Sequence, residues 1–168
     1  MDKEEIAKRI IYENNFCVIA TTDLEGNPWV TPVYFAYDDT YNFYWYSQKT
    51  TKHSQLIKQN NKVAIVIFNS QFEETHPAEQ GYGVYIAGKA KELKKKEIHQ
   101  ALTIYFSRLF AHNSLQKEKM IQKYQDFLGE SPLRMYTCAP EKIYISNTAT
   151  IWKGKYLDSR SEVRLLYR

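Results

Sequence analysis

Apolar and polar positions recur with two different periods along this chain, and the change from one to the other marks out its elements. From Asp2 to about Glu13, Ile6, Ile10 and Ile11 stand at helical spacing, and Asp2 and Glu5 have the spacing of a capping box. Phe16 to Thr22 is rich in small and β-branched residues and reads as a strand. Asp23 to Asn27 is its turn, Pro28 to Tyr37 a second strand, Asp38 to Thr40 a second turn, and Tyr41 to Ser47 a third strand. The period then lengthens. Thr50 to Gln59 places hydroxyl residues before helix formers and predicts a short helix. Lys62 to Phe68 is a continuous apolar run, hence a buried strand. Gln71 to Gly81 is a polar loop carrying Glu73, Glu74, His76 and Pro77, and Gly83 to Leu93 is a strand with a glycine at its middle. Two helices follow, Glu97 to about His112 and Ser114 to about Leu128. Leu133 to Ser146 predicts a pair of strands broken near Pro140, and Thr148 to Leu157 a further strand or loop, before a basic tail.

Five to seven strands thus lie before and after a helical insert at about residues 95–129. Helices do not alternate with strands, which argues against a doubly wound parallel sheet. The expected class is mostly β (α+β), a compact antiparallel barrel with peripheral helices. No repeat or linker divides the chain, so residues 1–168 are expected to form a single domain.

Composition narrows the function classes. Hydrophobic residues make up 43% and charged residues 25%, which excludes a disordered chain. A net charge of +4 permits an anionic ligand without requiring nucleic acid, and Lys94 to Lys96 read as a solvated helix start. Cys17 and Cys138 lie far apart, without zinc spacing, and are expected to be buried free thiols. No apolar leader follows Met1 and no stretch is long and apolar enough to span a bilayer. The expected location is therefore cytoplasmic, without a membrane partner. Phosphate-loop, nucleophile-elbow and zinc-protease motifs are absent, and the four histidines lack metal-ligand spacing.

Chemistry concentrates between Trp29 and Phe68. Two aromatic strands lead into a basic turn rich in hydroxyls, and a helix follows. Thr50 and Thr51 can donate hydrogen bonds, Lys49 and Lys52 bring positive charge, and the helix start adds free N–H groups. A phosphorylated planar ligand suits both halves. The same residues also make an ordinary helix cap beside solvated lysines, and spacing alone does not separate the two readings.

Several segments in this order resemble the pyridoxamine 5′-phosphate oxidase-like family of flavin-binding split barrels. They are Ala20-Thr21-Thr22, the Gly26-Asn27-Pro28 turn, Trp29-Val30-Thr31-Pro32-Val33, an aromatic third strand, Ser47, and Thr51-Lys52-His53. Asn60-Asn61-Lys62-Val63 and Ile86-Ala87-Gly88-Lys89-Ala90 complete the match, which covers about half of the chain. Near the C-terminus, Trp152-Lys153-Gly154 and the pair Arg160 and Arg164 resemble the oxidase's terminal segment, with a small insertion between them. The bland alternatives there are a core aromatic and a solvated tail.

The resemblance implies an antiparallel split barrel that binds FMN at a homodimer interface. It implies that Thr31, Pro32 and Val33 lie along the flavin ring by their backbone, and that Tyr46 and Ser47 hold the phosphate end or the ring edge. Thr51, Lys52 and His53 would match the oxidase's Ser-Arg-Lys phosphate group, with a point charge replacing the guanidinium fork and a histidine replacing a lysine. Trp152 and Arg164 would come from the second subunit. Tyr105, Arg108 and Arg160 are the counterparts of substrate residues. Departures put the oxidase reaction itself in doubt, because Ala36 stands where the oxidase has a lysine and Glu162 where it has a histidine. The expected function is a flavin-dependent oxidoreductase acting on a small molecule. A non-catalytic carrier or sensor of flavin or haem, and a reductase using deazaflavin F420, remain open alternatives.

Overall fold

Strand pairing organises the molecule. In the computed structural model the described residues are 2–69, 83–147, 150–157 and 159–165, with side chains at all of these but 150–152, 156 and 157. Helix α1 is Lys3–Glu13, and Asp2 caps it by accepting from Glu4 N. Strands β1 (Phe16–Thr22), β2 (Pro28–Tyr34), β3 (Ala36–Tyr37) and β4 (Phe43–Gln48) follow. Helix α2 (Lys52–Gln59) separates them from β5 (Lys62–Phe68) and β6 (Gly83–Glu92). The helical insert comprises α3 (Lys95–Leu109), α4 (Ser114–Gln122) and a 3₁₀ turn at Tyr124–Phe127. Strands β7 (Leu133–Ser146), β8 (Thr150–Trp152), β9 (Lys155–Leu157) and β10 (Arg160–Val163) complete the chain.

The main sheet runs β2-β1-β5-β6-β7-β4-β3, with β10 on β7, and every pairing is antiparallel. It curls into the split barrel that the sequence led us to expect. Alternation does the work: Cys17, Ile19, Ile65, Ile67, Val84 and Ile86 all point into one core, and Ala7, Ile10 and Ile11 of α1 pack into the same core. Both cysteines are buried free thiols, and burial pushes each up to about 12.

A second core lies outside the barrel. Ile98, Ala101, Leu102, Tyr105 and Phe106 of α3 pack with Phe127, Met135 and Ala36. The rest of the outer face carries no helix among the described residues. Val18, Ala20, Val30, Val66, Ala87 and Tyr144 line an open apolar groove of about 260 Å³ there.

Three segments differ from the sequence-based expectation. The second strand divides at Phe35, which is fully buried and whose N–H donates to Asn15 O (3.1 Å) instead of a strand partner. β7 runs unbroken through Pro140, because its partner strand shifts register between Ala87 and Gly88 just where Pro140 lacks a donor. A Cβ on Gly88 would lie 2.5 Å from Ala139 O, so only glycine permits that approach. The stretch near Thr148 to Leu157 contains a hairpin, β8–β9, whose turn residues Lys153 and Gly154 both have positive φ (48° and 74°), as a type I′ turn requires. The predicted loop Gln71 to Gly81 and the last three residues of the tail lie outside the described residues.

Candidate functional site

Two backbone features lie side by side at β2 and α2. β2 is an edge strand: it pairs with β1 alone among the described strands, so its outer edge has no strand partner. Val33 is buried in the core while Thr31 is half-buried and Pro32 exposed, and the strand's outer edge is a row of backbone groups. The Thr31 hydroxyl accepts from the half-exposed Trp29 indole N–H at 2.9 Å. α2 packs against both β1 and β2.

The start of α2 is not closed by its own cap. Thr51 occupies the N-cap, yet its side chain makes no capping hydrogen bond to the helix backbone. Its Oγ1 instead lies 3.0 Å from Gln48 O and 2.8 Å from Ser54 Oγ. Lys49 and Lys52 are exposed on either side. An uncapped helix start flanked by two cations and half-buried hydroxyls is a physical fit for a phosphate group. The fully buried His53 (5% exposed) directs Nε2 at Ser47 Oγ (2.8 Å) and Thr51 Oγ1 (3.3 Å). Burial lowers its proton affinity below that of an ordinary histidine. The helix turn therefore brings Ser47, Thr51, Lys52 and His53 together, but His53 lies beneath the hydroxyls. Ser54, which sequence reasoning passed over, joins them; its spacing of three from Thr51 was the available signal.

An aromatic cluster lies on the other face of β4 from Ser47. Tyr46, more than a third exposed, meets Tyr105 and Phe127 edge to face at centroid distances of 5.3 and 5.7 Å. Tyr105 is itself buried in the second core against Tyr34 and Phe106, and burial pushes its hydroxyl far above the ordinary tyrosine range. Arg108 is directed elsewhere. Its Nη2 donates to the carbonyls of Ile11 (2.9 Å), Tyr12 (3.0 Å) and Asn14 (2.7 Å), and its guanidinium lies over the rings of Phe35 and Tyr37. It thus closes the C-terminal end of α1, where carbonyls lack helical partners. The structure does not bring it to the α2 cluster.

The C-terminal residues lie on or near β10. The Arg160 guanidinium lies over the Tyr85 ring at 4.4 Å, beside the apolar groove that Tyr85 lines. Arg164 is exposed. Trp152 ends β8, and its side chain is outside the described residues. Glu162 lies 3.9 Å from Lys142 on β7. Ala36 is fully buried under α3, so a lysine at that position would meet the second core and not a ligand. Among the described residues no His, Cys, Asp and Glu cluster could hold a metal, and no helix is long and apolar enough to cross a membrane.

The pyridoxamine 5′-phosphate oxidase family model matches residues 3–139. The chain belongs to this family. No curated relative matches it in sequence at a significant level. Solved structures similar to it include a protein of unknown function from Agrobacterium tumefaciens, 15% identical with a TM-score of 0.64. That match covers 84% of this chain and 55% of the other, so this chain spans little more than half of that relative's length. The haem storage protein HutZ of Vibrio cholerae is 16% identical over 85% of this chain and 94% of its own, with a TM-score of 0.61. A FAD-binding protein of Mesorhizobium loti is 19% identical over 85% and 92%, with a TM-score of 0.52. At these identities the likeness is one of fold. The fold is therefore shared with a protein that stores haem and with one that binds FAD.

Proposed function

We propose that this chain binds FMN as a homodimer and uses it in redox chemistry on a small molecule other than pyridoxamine phosphate. The observation that carries this reading is the pairing of an unpartnered strand edge at β2 with an uncapped helix start at α2. FMN needs both: a hydrogen-bonding edge for its ring and an anion site for its phosphate. The backbone of Thr31, Pro32 and Val33 serves the ring edge. Ser47, Thr51 and Lys52 hold the phosphate, and Tyr46, next in the strand but on its other face, borders the ring edge. FMN, when bound, supplies the redox centre, and the protein contributes position and electrostatics. The reading names no acid or base, since hydride transfer to a flavin needs none from the side chains.

The bare apolar face supports the dimer. Val18, Ala20, Ala64, Val66 and Ala87 line it with Tyr85 and Tyr144, and an open apolar groove of this kind suits a second copy related by a twofold axis. The second copy would bring Trp152 and Arg164 to the flavin. A lysine at Ala36 would be buried and Glu162 is acidic, so the features that fix pyridoxamine phosphate in the oxidase are missing here. Haem is the weaker reading, because His53 is buried with Nε2 held by two hydroxyls. F420 has no feature that calls for its longer anionic tail.

The test is the visible spectrum of the purified protein after incubation with FMN and desalting, alongside its sedimentation. Retained flavin bands on a dimer are expected. A colourless monomer overturns the reading, and a Soret band on haem addition that His53→Ala abolishes would favour the haem carrier.

A further inference from the structure

The Ser47–Thr51–Ser54 hydroxyl cluster is built around one buried base. His53 is 5% exposed, and its Nε2 lies within hydrogen-bonding distance of Ser47 Oγ (2.8 Å) and Thr51 Oγ1 (3.3 Å). Thr51 has two other oxygens for its single hydroxyl proton, Gln48 O and Ser54 Oγ. It therefore does not need Nε2 as an acceptor. Ser47 is different, because His53 Nε2 is its close partner. With the proton on Nδ1, Nε2 accepts from Ser47 and draws that hydroxyl inward, away from an incoming anion. With a proton on Nε2, the imidazole donates to both hydroxyl oxygens and leaves the Ser47 hydrogen free to point at the anion.

Few charged groups compete for control of this imidazole. Lys49 and Lys52 flank the helix start and are exposed. Arg134, across from Ser47 on β7, is held by Glu92 at 3.0 Å, and the Tyr136 hydroxyl lies beside Ser54. On β6, Lys89 pairs with Glu141 and Lys91 with Glu97. β1 and β2 carry no charged side chain, although Cys17 on β1 and Tyr34 on β2 are titratable. Among the described residues no carboxylate faces the ring to stabilise its charged form before a ligand arrives, and burial works against that form. A dianion seated above Ser47 and Thr51 supplies the missing negative charge.

Resting on the anion-site reading above, we propose that His53 is the positioning residue of that site. It is neutral in the free protein and takes up a proton at the imidazole when a phosphate or sulfate dianion binds, which frees the Ser47 hydroxyl to turn outward as a donor. The step is a proton transfer from solvent to the imidazole, with no bond made to the ligand. Its consequence is thermodynamic: anion affinity strengthens as pH falls through the range where the bound form is protonated and the free form is not.

The experiment is calorimetry of FMN and of sodium sulfate binding to the intact protein in buffers of different ionisation enthalpy, at pH 6 to 8. Sulfate has no proton to exchange in this range, so any uptake belongs to the protein. Uptake of up to about one proton per anion is expected. In His53→Gln, whose amide can still donate to the hydroxyls but cannot titrate, binding should persist and uptake should vanish. Ser47→Ala, which leaves the histidine in place, should weaken both ligands about tenfold while uptake remains. Circular dichroism melts establish that each variant is folded. Binding without proton uptake, or uptake unchanged in His53→Gln, overturns the role of His53 and leaves the flavin reading intact. If neither FMN nor sulfate binds the wild-type protein, the anion site and this proposal fall together.

Discussion

The outer surface of the curled sheet has two apolar regions, and they are finished differently. Over β3, β4 and the start of β7 the helical insert lies flat on the sheet, and Tyr34, Tyr44, Tyr46 and Met135 meet Tyr105, Phe106 and Phe127. Over β1, β5, β6 and the middle of β7, Val18, Ala20, Ala64, Val66 and Ala87 line an open groove that no described helix fills. The side chains explain the difference. Large aromatics project far from a sheet and interlock with helix ridges through edge-to-face contacts. Small aliphatics project little from a sheet and leave an open apolar groove between the larger Tyr85 and Tyr144. One region completes the fold, and the other is suited to completing an assembly. The proposed anion site touches both neighbourhoods, since Ser47 follows Tyr46 of the covered region and α2 packs on β1 and β2 of the bare one.

This contrast can be broken at either region. Truncating the covered one should act on the fold itself: Phe106→Ala, at a 1% exposed position, should cost about 3–5 kcal/mol in urea unfolding. Charging the bare one should act on assembly. Val66→Lys should leave the far-ultraviolet spectrum unchanged and weaken the dimer about a hundredfold in sedimentation equilibrium, because a buried unpaired ammonium costs several kcal/mol. A monomeric wild-type protein would end that part of the comparison. At the junction of the two regions, Thr51→Ala combined with Lys52→Ala should weaken FMN binding about tenfold to a hundredfold, read by flavin fluorescence, without lowering the melting temperature appreciably.

The smallest effect concerns His53 in the ligand-free protein. Burial lowers its folded-state proton affinity, so the unfolded chain binds the proton more readily. Stability should therefore be complete above the unfolded value of about 6.5 and fall as pH drops below it, levelling once the folded-state group is also protonated. A urea series from pH 8 to 5 should show this slope in the wild type and a reduced slope in His53→Gln. Identical slopes would mean that other groups set the acid response.

Much of the architecture was legible in local patterns. The small and β-branched residues of β1 and the apolar run of β5 marked strands whose bounds the structure reproduces, Phe16–Thr22 and Lys62–Phe68. Hydroxyls before helix formers marked α2 and with it the candidate anion site. Pro140 misled in the opposite direction. A proline within a strand predicts a break, but here the compensation lies fifty residues away in the register shift at Gly88, and no local window contains both. Arg108 likewise looked available for a ligand, because its carbonyl partners at the end of α1 are nearly a hundred residues distant in sequence.

Side-chain period and turn chemistry, being properties of neighbouring residues, determined by themselves which segments became strands or helices and where hydroxyls and lysines gathered. Tertiary structure alone decided which face of each element would be covered. It buried Ala36 under α3 and Tyr105 on the sheet-facing side of α3, left Val66 half-buried and Ala87 exposed in an open groove, and turned His53 inward beneath Ser47 and Thr51. The physical reason is that burial and hydrogen-bond partners depend on strand order and on which residues the pairing of distant segments brings together.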